Sequence, residues 1–195
     1  MAPQRSAHPP CPLCFFRGSP CFCPELPRVT ARLEVVIVRH AAERNKQTNS
    51  ARWAALALGC PVHEYAATTT PFDTSALALE SAWLLFPGGD TTAAPAIPPR
   101  RLIVPDGTWQ QARRMVARLP ALRALPRLAL PAPAHGLRLR RPREPTGMST
   151  LEAIAAALEL FGEPVPAAQL RDIHAAVLRR AVRMRGQFAL DRSSH

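Results

Sequence analysis

Residues 101–112 read RLIVPDGTWQQA and carry the clearest fold signal in the chain. An apolar run follows the opening arginine, as in a strand that is buried on both faces. Asp106 and the glycine after it predict a turn. Thr108 and Gln111 then have the T-x-x-Q spacing of a helix capping box. The stretch therefore predicts a buried strand that leads through a tight turn into a helix over 109–119.

Other segments repeat this alternation of strand and helix. Residues 33–38 and 84–86 are apolar runs of the kind that forms buried strands. Helical patterns cover 49–59, 74–82, 109–119, 151–161 and about 166–185. Buried strands that alternate with helices predict an α/β fold with a mainly parallel sheet flanked by helices.

The charge of the chain is strongly positive. Its 195 residues carry a formal net charge of +11, from 25 basic and 14 acidic residues, and every basic residue except Lys46 is arginine. The abundance of arginine, alanine and proline is typical of GC-rich coding, which accounts for part of the arginine excess but not for the low acid count. The surplus favours a polyanionic partner, most simply RNA or DNA. The alternative is a generic basic surface, and the arginine-rich face of the last helix has the same two interpretations.

Composition and length exclude several classes of protein. With 47% hydrophobic residues, the chain is not disordered throughout. No apolar run approaches the roughly 20 residues of a membrane span, and the first residues lack the apolar stretch of a secretory signal. We therefore expect a soluble, cytoplasmic protein with no membrane partner. The length fits one domain with a small appendage: a Cys-rich segment over 1–27 and an α/β domain over 28–190.

Four cysteines with the spacing C-x2-C-x6-C-x-C lie in the first segment: Cys11, Cys14, Cys21 and Cys23. In a cytosolic chain, such a cluster favours metal binding over disulfides. Four thiolates complete the tetrahedral shell of a structural Zn²⁺, and a proline-rich segment with few apolar residues has little else to fold around. Reduced, metal-free thiols are the alternative, with His8 as a less favoured substitute ligand. Cys60 stands apart and is interpreted as a buried small residue.

Polar residues and glycines gather where the predicted strands and turns end. These are His40, Glu43, Asn49, the turn Pro87–Gly88, Asp106, and Ser149 and Glu152, which have capping-box spacing. In open α/β sheets ligands bind at this edge, and free N–H groups at a helix start hold carboxylates or phosphates. The local alternative is that Asp106 and Thr108 only shape the turn and cap the helix, with Trp109 in the core. Together the motifs predict a site for a small ligand with charged groups.

Taken in order, these motifs resemble the DTW-domain family, which is named for its Asp-x-Thr-Trp element. The matching elements are the cysteine cluster, His40-x-x-Glu43 with Thr48-Asn49, Leu85-Phe86-Pro87-Gly88, Asp106-Gly-Thr108-Trp109-x-x-Ala112, and Ser149-Thr150-Leu-Glu152-Ala153. The resemblance covers about residues 11–162. It implies an α/β domain related to the SPOUT-like class of RNA-modifying enzymes, in which a C-terminal trefoil knot occurs.

The resemblance further implies a tRNA-uridine aminocarboxypropyltransferase. Such an enzyme transfers the 3-amino-3-carboxypropyl group of S-adenosylmethionine to N3 of a uridine and releases methylthioadenosine. Asp106, Thr108 and Trp109 are then catalytic, and Asp106 either accepts the N3 proton or holds the amino group of the donor. The residues expected to bind the donor are Phe86, Pro87, Gly88, Ser149, Thr150 and Glu152. Those expected to bind RNA are His40, Glu43, Asn49, Arg138, Arg140 and Arg141.

The chain departs from the family pattern at three places. The usual His-Pro-x-Glu is His40-Ala-Ala-Glu43, the usual Thr-Gly after the asparagine is Ser50-Ala51, and the usual Pro-Gly-Glu-Asp is Pro87-Gly-Gly-Asp90. These departures bear on substrate preference more than on reaction class. Three alternatives stay open: a SPOUT-like RNA methyltransferase, a non-catalytic zinc-containing RNA-binding module, and a relative that acts on rRNA.

Overall fold

The structure is a computed structural model that describes residues 11–16, 22–66, 69–88, 98–131 and 148–192, with side chains up to Ala181. The strands are β1 (Glu34–His40), β2 (Val62–Tyr65), β3 (Ala82–Leu85), β4 (Arg101–Asp106) and β5 (Arg127–Leu128). The helices are α1 (Ser50–Leu58), α2 (Trp109–Arg118), α3 (Pro120–Arg123), α4 (Thr150–Leu160) and α5 (Pro164–Arg192). Short 3-10 turns lie at Cys23–Glu25, Ala41–Glu43 and Ser75–Leu77.

The strands form one sheet in the order β2-β1-β4-β3-β5. Every strand pair in the described part of the chain is parallel, as the alternation of strands and helices predicted. The longest ladder joins β1 to β4 and ends with Arg39 opposite Asp106. These two strands occupy the interior of the sheet because they are apolar on both faces, and Ile37 and Ile103 are fully buried.

Helices cover both faces of the sheet. On one face α1, α4 and α5 pack against Val35 and Ile37 of β1, and on the other α2 and α3 pack against Val36 and Val38. Successive residues of a strand point to opposite faces, so all four are buried. The helices that follow β1 and β4 therefore leave on opposite faces of the sheet. This arrangement opens a crevice at the carboxyl ends of these two strands.

Local signals set the helix ends. The capping boxes predicted at Thr108 and Ser149 are both formed. Helix α1 begins after Asn49, whose side chain accepts a hydrogen bond from the N–H of Arg52. It ends at Gly59, whose left-handed φ of 65° is available to glycine at little cost. These caps satisfy backbone groups that the terminal turns of a helix leave open.

The helix predicted over 74–82 is wrong. Only the turn Ser75–Leu77 forms there, and Ala82 already begins β3. Ala78 and Ser81 have left-handed φ values of 45° and 54°, which end any right-handed helix. Strands β2 and β5 were not predicted because both are short, and their stability comes from pairing with β1 and β3.

The N-terminal segment packs on the rest of the domain. The rings of Phe16 and Phe22 lie 5.4 and 5.7 Å from the ring of Trp53, which is buried in α1. The division of the chain at about residue 27 stays a prediction. The trefoil knot also stays a prediction, because residues 132–147 lie outside the described part of the chain.

Among the described residues, no helix combines the length and the apolar character that crossing a bilayer requires.

Candidate functional site at the carboxyl edge of the sheet

The crevice between β1 and β4 gathers the polar residues of several motifs. His40 ends β1 and Asp106 ends β4. Since the two strands are parallel neighbours, their carboxyl ends lie side by side, with Arg39 paired to Asp106 in the ladder. Asp106 therefore lies at a strand end and beside a helix start, as its sequence context predicted.

Asp106 is the centre of this site. Its side chain is only 3% exposed. One carboxylate oxygen accepts a hydrogen bond from Asn49 Nδ2 at 2.6 Å, and the other accepts one from Thr150 Oγ1 at 2.8 Å. Burial raises the pKa of the Asp106 carboxyl, and the two hydrogen bonds oppose this rise. Asp106 is thus a buried carboxylate, more basic than an aspartate in water, that joins two other motif elements.

The amide of Asn49 is fixed at both ends. Its Oδ1 accepts a hydrogen bond from the N–H of Arg52 at 2.9 Å, while its Nδ2 donates to Asp106. Only one orientation of the amide satisfies both partners. Asn49 therefore ties the start of α1 to the end of β4. Its side chain is buried, and its contact with RNA stays a prediction.

The start of α4 forms a third side of the site. Ser149 Oγ accepts a hydrogen bond from the N–H of Glu152 at 3.3 Å, and Glu152 Oε2 accepts one from the N–H of Ser149 at 2.8 Å. Thr150 donates its hydroxyl to Asp106. The three residues predicted to bind the donor on this helix thus lie together beside Asp106. Their role in donor binding stays a prediction.

The sequence interpretation missed one residue of this cluster, His174 of α5. Its Nε2 lies 3.4 Å from Ser149 Oγ, and its Nδ1 lies 4.0 Å from Glu152 Oε1. Burial lowers the pKa of His174, which the carboxylate of Glu152 opposes. The sequence holds no local signal for this contact, because only the packing of α5 on α4 brings the ring here.

Two stacked aromatic rings lie at the same edge of the sheet. Phe86 follows β3 and Trp109 begins α2, and their ring centroids are 5.3 Å apart with planes inclined by 9°. Trp109 is 40% exposed. It therefore does not lie in the core, a possibility that the spacing alone had left open. The guanidinium of Arg127 lies 5.9 Å from the Phe86 ring centroid. An exposed ring of this kind offers a surface on which a flat base can stack.

The turn at Phe86–Gly88 is the other predicted donor-binding element. Pro87 and Gly88 are exposed, and Gly88 has a φ of 87°. The described ring contacts of this turn are with Trp109 and Arg127, whereas the start of α4 contacts Asp106 and His174. The two elements therefore line the carboxyl edge of the sheet through separate sets of contacts.

The residues at the end of β1 and just after it are held by contacts within the crevice wall. His40 Nδ1 accepts a hydrogen bond from the N–H of Ala42 at 3.2 Å, and its ring lies edge-on to Tyr65 at 6.0 Å. Glu43 is buried and forms an ion pair with Lys46. Contact of His40 and Glu43 with RNA stays a prediction. The other residues predicted to bind RNA, Arg138, Arg140 and Arg141, lie outside the described residues.

Three of the four N-terminal cysteines converge on one point. The Sγ atoms of Cys11, Cys14 and Cys23 lie within 4.8 Å of one another, and those of Cys11 and Cys23 are 3.9 Å apart. Zn–S bonds of about 2.3 Å in a tetrahedron separate the sulfurs by about 3.8 Å, so this spacing fits the metal. Cys21, the fourth predicted ligand, lies outside the described residues. The arrangement is compatible with an N-terminal metal site.

Arg52 connects the cysteine segment to the crevice. Its side chain is buried, donates to the carbonyl oxygen of Cys14 at 3.5 Å and lies over the ring of Phe15 at 4.3 Å. Its backbone N–H bonds to Asn49, which in turn bonds to Asp106. A short chain of hydrogen bonds therefore connects the cysteine segment to the site.

A cavity of about 360 Å³ lies at the opposite, amino-terminal edge of the sheet. Its charged lining residues, Glu34 and Arg101, already form an ion pair with each other. Ligands of parallel α/β sheets bind at the carboxyl edge, and the motif residues converge there. The crevice around Asp106 is therefore the candidate functional site.

The chain matches a known protein family. A sequence model of the DTW domain matches residues 8–182, a range that includes the cysteine cluster, all five strands and most of α5. No curated protein and no solved structure matched the chain.

Proposed function

This chain belongs to the DTW-domain family, a family of tRNA-modifying transferases, and from that premise we propose the reaction that it performs. It transfers the 3-amino-3-carboxypropyl group of S-adenosylmethionine to N3 of a uridine in tRNA. The observation that carries the proposal is the position of Asp106. This buried carboxylate holds Asn49 and Thr150, so three family motifs meet at the edge where ligands bind.

The reaction is a displacement at the γ-carbon of the donor's methionine group. The Cγ–S bond breaks, its electron pair stays on sulfur, and neutral methylthioadenosine leaves. The bond between N3 and Cγ forms as N3 loses its proton. Because a sulfonium is already a good leaving group, the main demand on the protein is orientation. The site must present Cγ, and not the methyl group, to the uridine.

We assign the N3 proton to Asp106. Burial raises the pKa of this carboxyl, which makes it a stronger base than an exposed aspartate. The hydrogen bonds from Asn49 and Thr150 hold its two oxygens in place. Contact with the amino group of the donor is the alternative role of the same carboxylate.

We place the donor between the start of α4 and the turn at Phe86–Gly88. Thr150, at the start of α4, bonds to Asp106, so a donor bound there lies beside the proposed proton acceptor. The exposed ring of Trp109 offers a stacking surface for the adenine or for the target base. Thr108 caps α2 and so fixes the position of Trp109.

We further propose that Cys11, Cys14, Cys21 and Cys23 hold a structural Zn²⁺. A closed four-sulfur site has no open coordination position, so the metal stabilises the fold and takes no part in the transfer. The packing of Phe16 and Phe22 on Trp53 makes this segment part of the domain core.

Mass spectrometry of tRNA nucleosides, after incubation of the tRNA with protein and donor, tests the reaction. A uridine that gains the aminocarboxypropyl mass, together with release of methylthioadenosine, is the expected result. Release of S-adenosylhomocysteine would identify a methyltransferase instead. A protein that binds RNA but whose melting temperature does not rise with S-adenosylmethionine would be a non-catalytic module.

A further inference from the structure

The arginines of this protein fall into two groups by their partners. Of the eleven arginines outside α2 and α3 whose side chains the structure describes, six are paired with an acid: Arg39 and Arg44 with Glu64, Arg100 and Arg101 with Glu34, Arg32 with Glu163, and Arg171 with Glu159. By contrast, the side chains of the four arginines of α2 and α3 form no ion pair or hydrogen bond with any described residue. These arginines are Arg113, Arg114, Arg118 and Arg123. We call these four residues the α2 arginine face.

The α2 arginine face is exposed because of helix geometry. Ala112, Met115 and Val116 of α2 are buried against the sheet. With 3.6 residues per turn, Arg113, Arg114 and Arg118 lie on the side away from the sheet, and all three are exposed. Arg123 extends the exposed charge onto α3.

The sequence around this face adds no acid. Between Asp106 and Glu144 it contains no Asp or Glu and nine arginines, which are Arg113, Arg114, Arg118, Arg123, Arg127, Arg138, Arg140, Arg141 and Arg143. Most of the net charge of +11 therefore arises in this part of the sequence. Uncompensated like charges repel one another in the folded protein, so a face of this composition is best matched by a polyanion.

The α2 arginine face is also continuous with the candidate site. Trp109, the first residue of α2, stacks on Phe86 at the carboxyl edge of the sheet. From Trp109 to Arg118 the helix extends about 14 Å at 1.5 Å per residue. A partner that lies along the arginines therefore reaches the ring of Trp109 and the crevice at Asp106.

The other arginine-rich helix is less suited to this role. Of the three α5 arginines with described side chains, Arg171 is paired with Glu159, Arg180 covers the ring of Phe22, and only Arg179 is exposed without such a contact. An arginine that is already bound within the protein gains less from a phosphate, because its existing contact must be broken first.

We propose that the α2 arginine face is the docking surface for the phosphate backbone of the RNA substrate. The inference rests on the proposed function, and it adds the side from which the tRNA approaches. Guanidinium groups bind phosphate oxygens in pairs, and they supply affinity without reading sequence. The docked backbone holds the RNA while one nucleotide enters the crevice beside Trp109.

The test compares two charge-neutralising double variants. Arg113→Gln with Arg114→Gln alters the face. Arg28→Gln with Arg179→Gln is the matched control, because both of these arginines are exposed and without an acidic partner among the described residues. Arg28 lies just after the N-terminal segment and Arg179 lies on α5, and their neighbours Val29 and Leu178 pack in the core on the opposite face of the sheet from α2. Binding of unmodified tRNA is measured by fluorescence anisotropy over a range of salt concentrations, and donor binding by calorimetry.

The face variant should bind tRNA at least about tenfold more weakly at 0.1 M salt. The slope of log K against log salt should become shallower by about two, since two phosphate contacts are lost. Donor binding should not change, and the control should retain the parent affinity for tRNA. The proposed reaction and the proposed docking surface can be rejected independently. A parent protein that binds tRNA through these arginines without modifying it would reject only the reaction.

Three results would overturn the inference. The first is a face variant that binds tRNA as tightly as the parent does. The second is a control variant that loses as much affinity for tRNA as the face variant. The third is a parent that binds duplex DNA of similar length as tightly as tRNA, which would assign the face to a different polyanion.

Discussion

Asn49 and Asp106 are separated by 57 positions in the sequence, yet their side chains are joined by a hydrogen bond of 2.6 Å. Asn49 caps α1 and Asp106 ends β4, so this bond ties the start of a helix on one face of the sheet to the end of a central strand. It also connects the site to Arg52 and, through that residue, to the cysteine segment. A disturbance in any of these elements is therefore expected to reach Asp106.

Replacing Asp106 tests its role in the transfer. In Asp106→Asn the proton acceptor is lost, while Thr150 can still share a hydrogen bond by accepting one instead of donating it. We expect the rate of methylthioadenosine release to fall at least about 100-fold with the fold intact. Asp106→Ala should abolish transfer as well. Full activity of either purified variant would reject the assignment, and unfolding of both would show that Asp106 only shapes and caps the crevice.

The same substitution should change how stability depends on pH. Burial raises the pKa of Asp106 above the value of about 3.9 for an unfolded aspartate. The stability that protonated Asp106 contributes is therefore fully present below about pH 3.9 and is lost as the pH rises through the folded-state pKa. We expect Asp106→Asn to melt at a higher temperature than the parent at pH 7, with a smaller gain at pH 4. An equal difference at both pH values, measured by differential scanning fluorimetry, would contradict this.

Substitution of two tryptophans should have different effects: replacing Trp109 should mainly affect binding, and replacing Trp53 should mainly affect stability. Trp109 is 40% exposed, so Trp109→Ala should cost only about 0.5–1.5 kcal/mol of stability, through loss of its stack on Phe86. Its KM for donor or tRNA should rise, and Trp109→Phe should restore part of the loss. Trp53 is fully buried, and Trp53→Ala should cost about 3–5 kcal/mol. Urea unfolding and steady-state kinetics measure the two effects, and a large loss of stability in Trp109→Ala would point to a structural role.

The metal site gives a prediction that needs no activity assay. Purified protein should contain about one zinc per chain by elemental analysis, and Cys11→Ser or Cys23→Ser should lose it. Loss of the metal should lower the melting temperature, because the segment that carries Phe16 and Phe22 then loses its attachment.

Cys60→Ser is the matched control for the cysteine variants and should keep the metal. Burial raises the pKa of the Cys60 thiol to about 11, so this residue should also resist alkylation at neutral pH. Full zinc content in Cys11→Ser would exclude Cys11 as a ligand.

His174 should make stability sensitive to mild acid. Burial lowers its folded-state pKa below the value of about 6.5 for an unfolded histidine. The neutral ring therefore contributes stability above about pH 6.5 that is lost as the pH falls through the folded-state pKa. His174→Gln should lose less stability than the parent between pH 7 and pH 5. Identical pH curves for His174→Gln and the parent would contradict the prediction.

Much of the local structure was predictable from the sequence. The strand–turn–helix at 101–119, both capping boxes and the α/β class with parallel strands follow from periodicity and from contacts between residues at most four positions apart. The helix predicted over 74–82 does not form, because local periodicity alone carried that prediction. Its periodicity was compatible with a helix, but the chain turns at Ala78 and Ser81 to enter the sheet at β3.

The tertiary structure decided which of these local pieces meet. The strand order brings Asp106 beside Asn49, and the packing of α4 and α5 adds Thr150 and His174, contacts that span 25 to 57 positions of sequence. It also decided which arginines carry free charge, because an arginine is neutralised only where packing places an acid next to it. Residue types and spacing thus determined the class of fold and the chemistry available, whereas side-chain partners depend on distances that only the packed elements define.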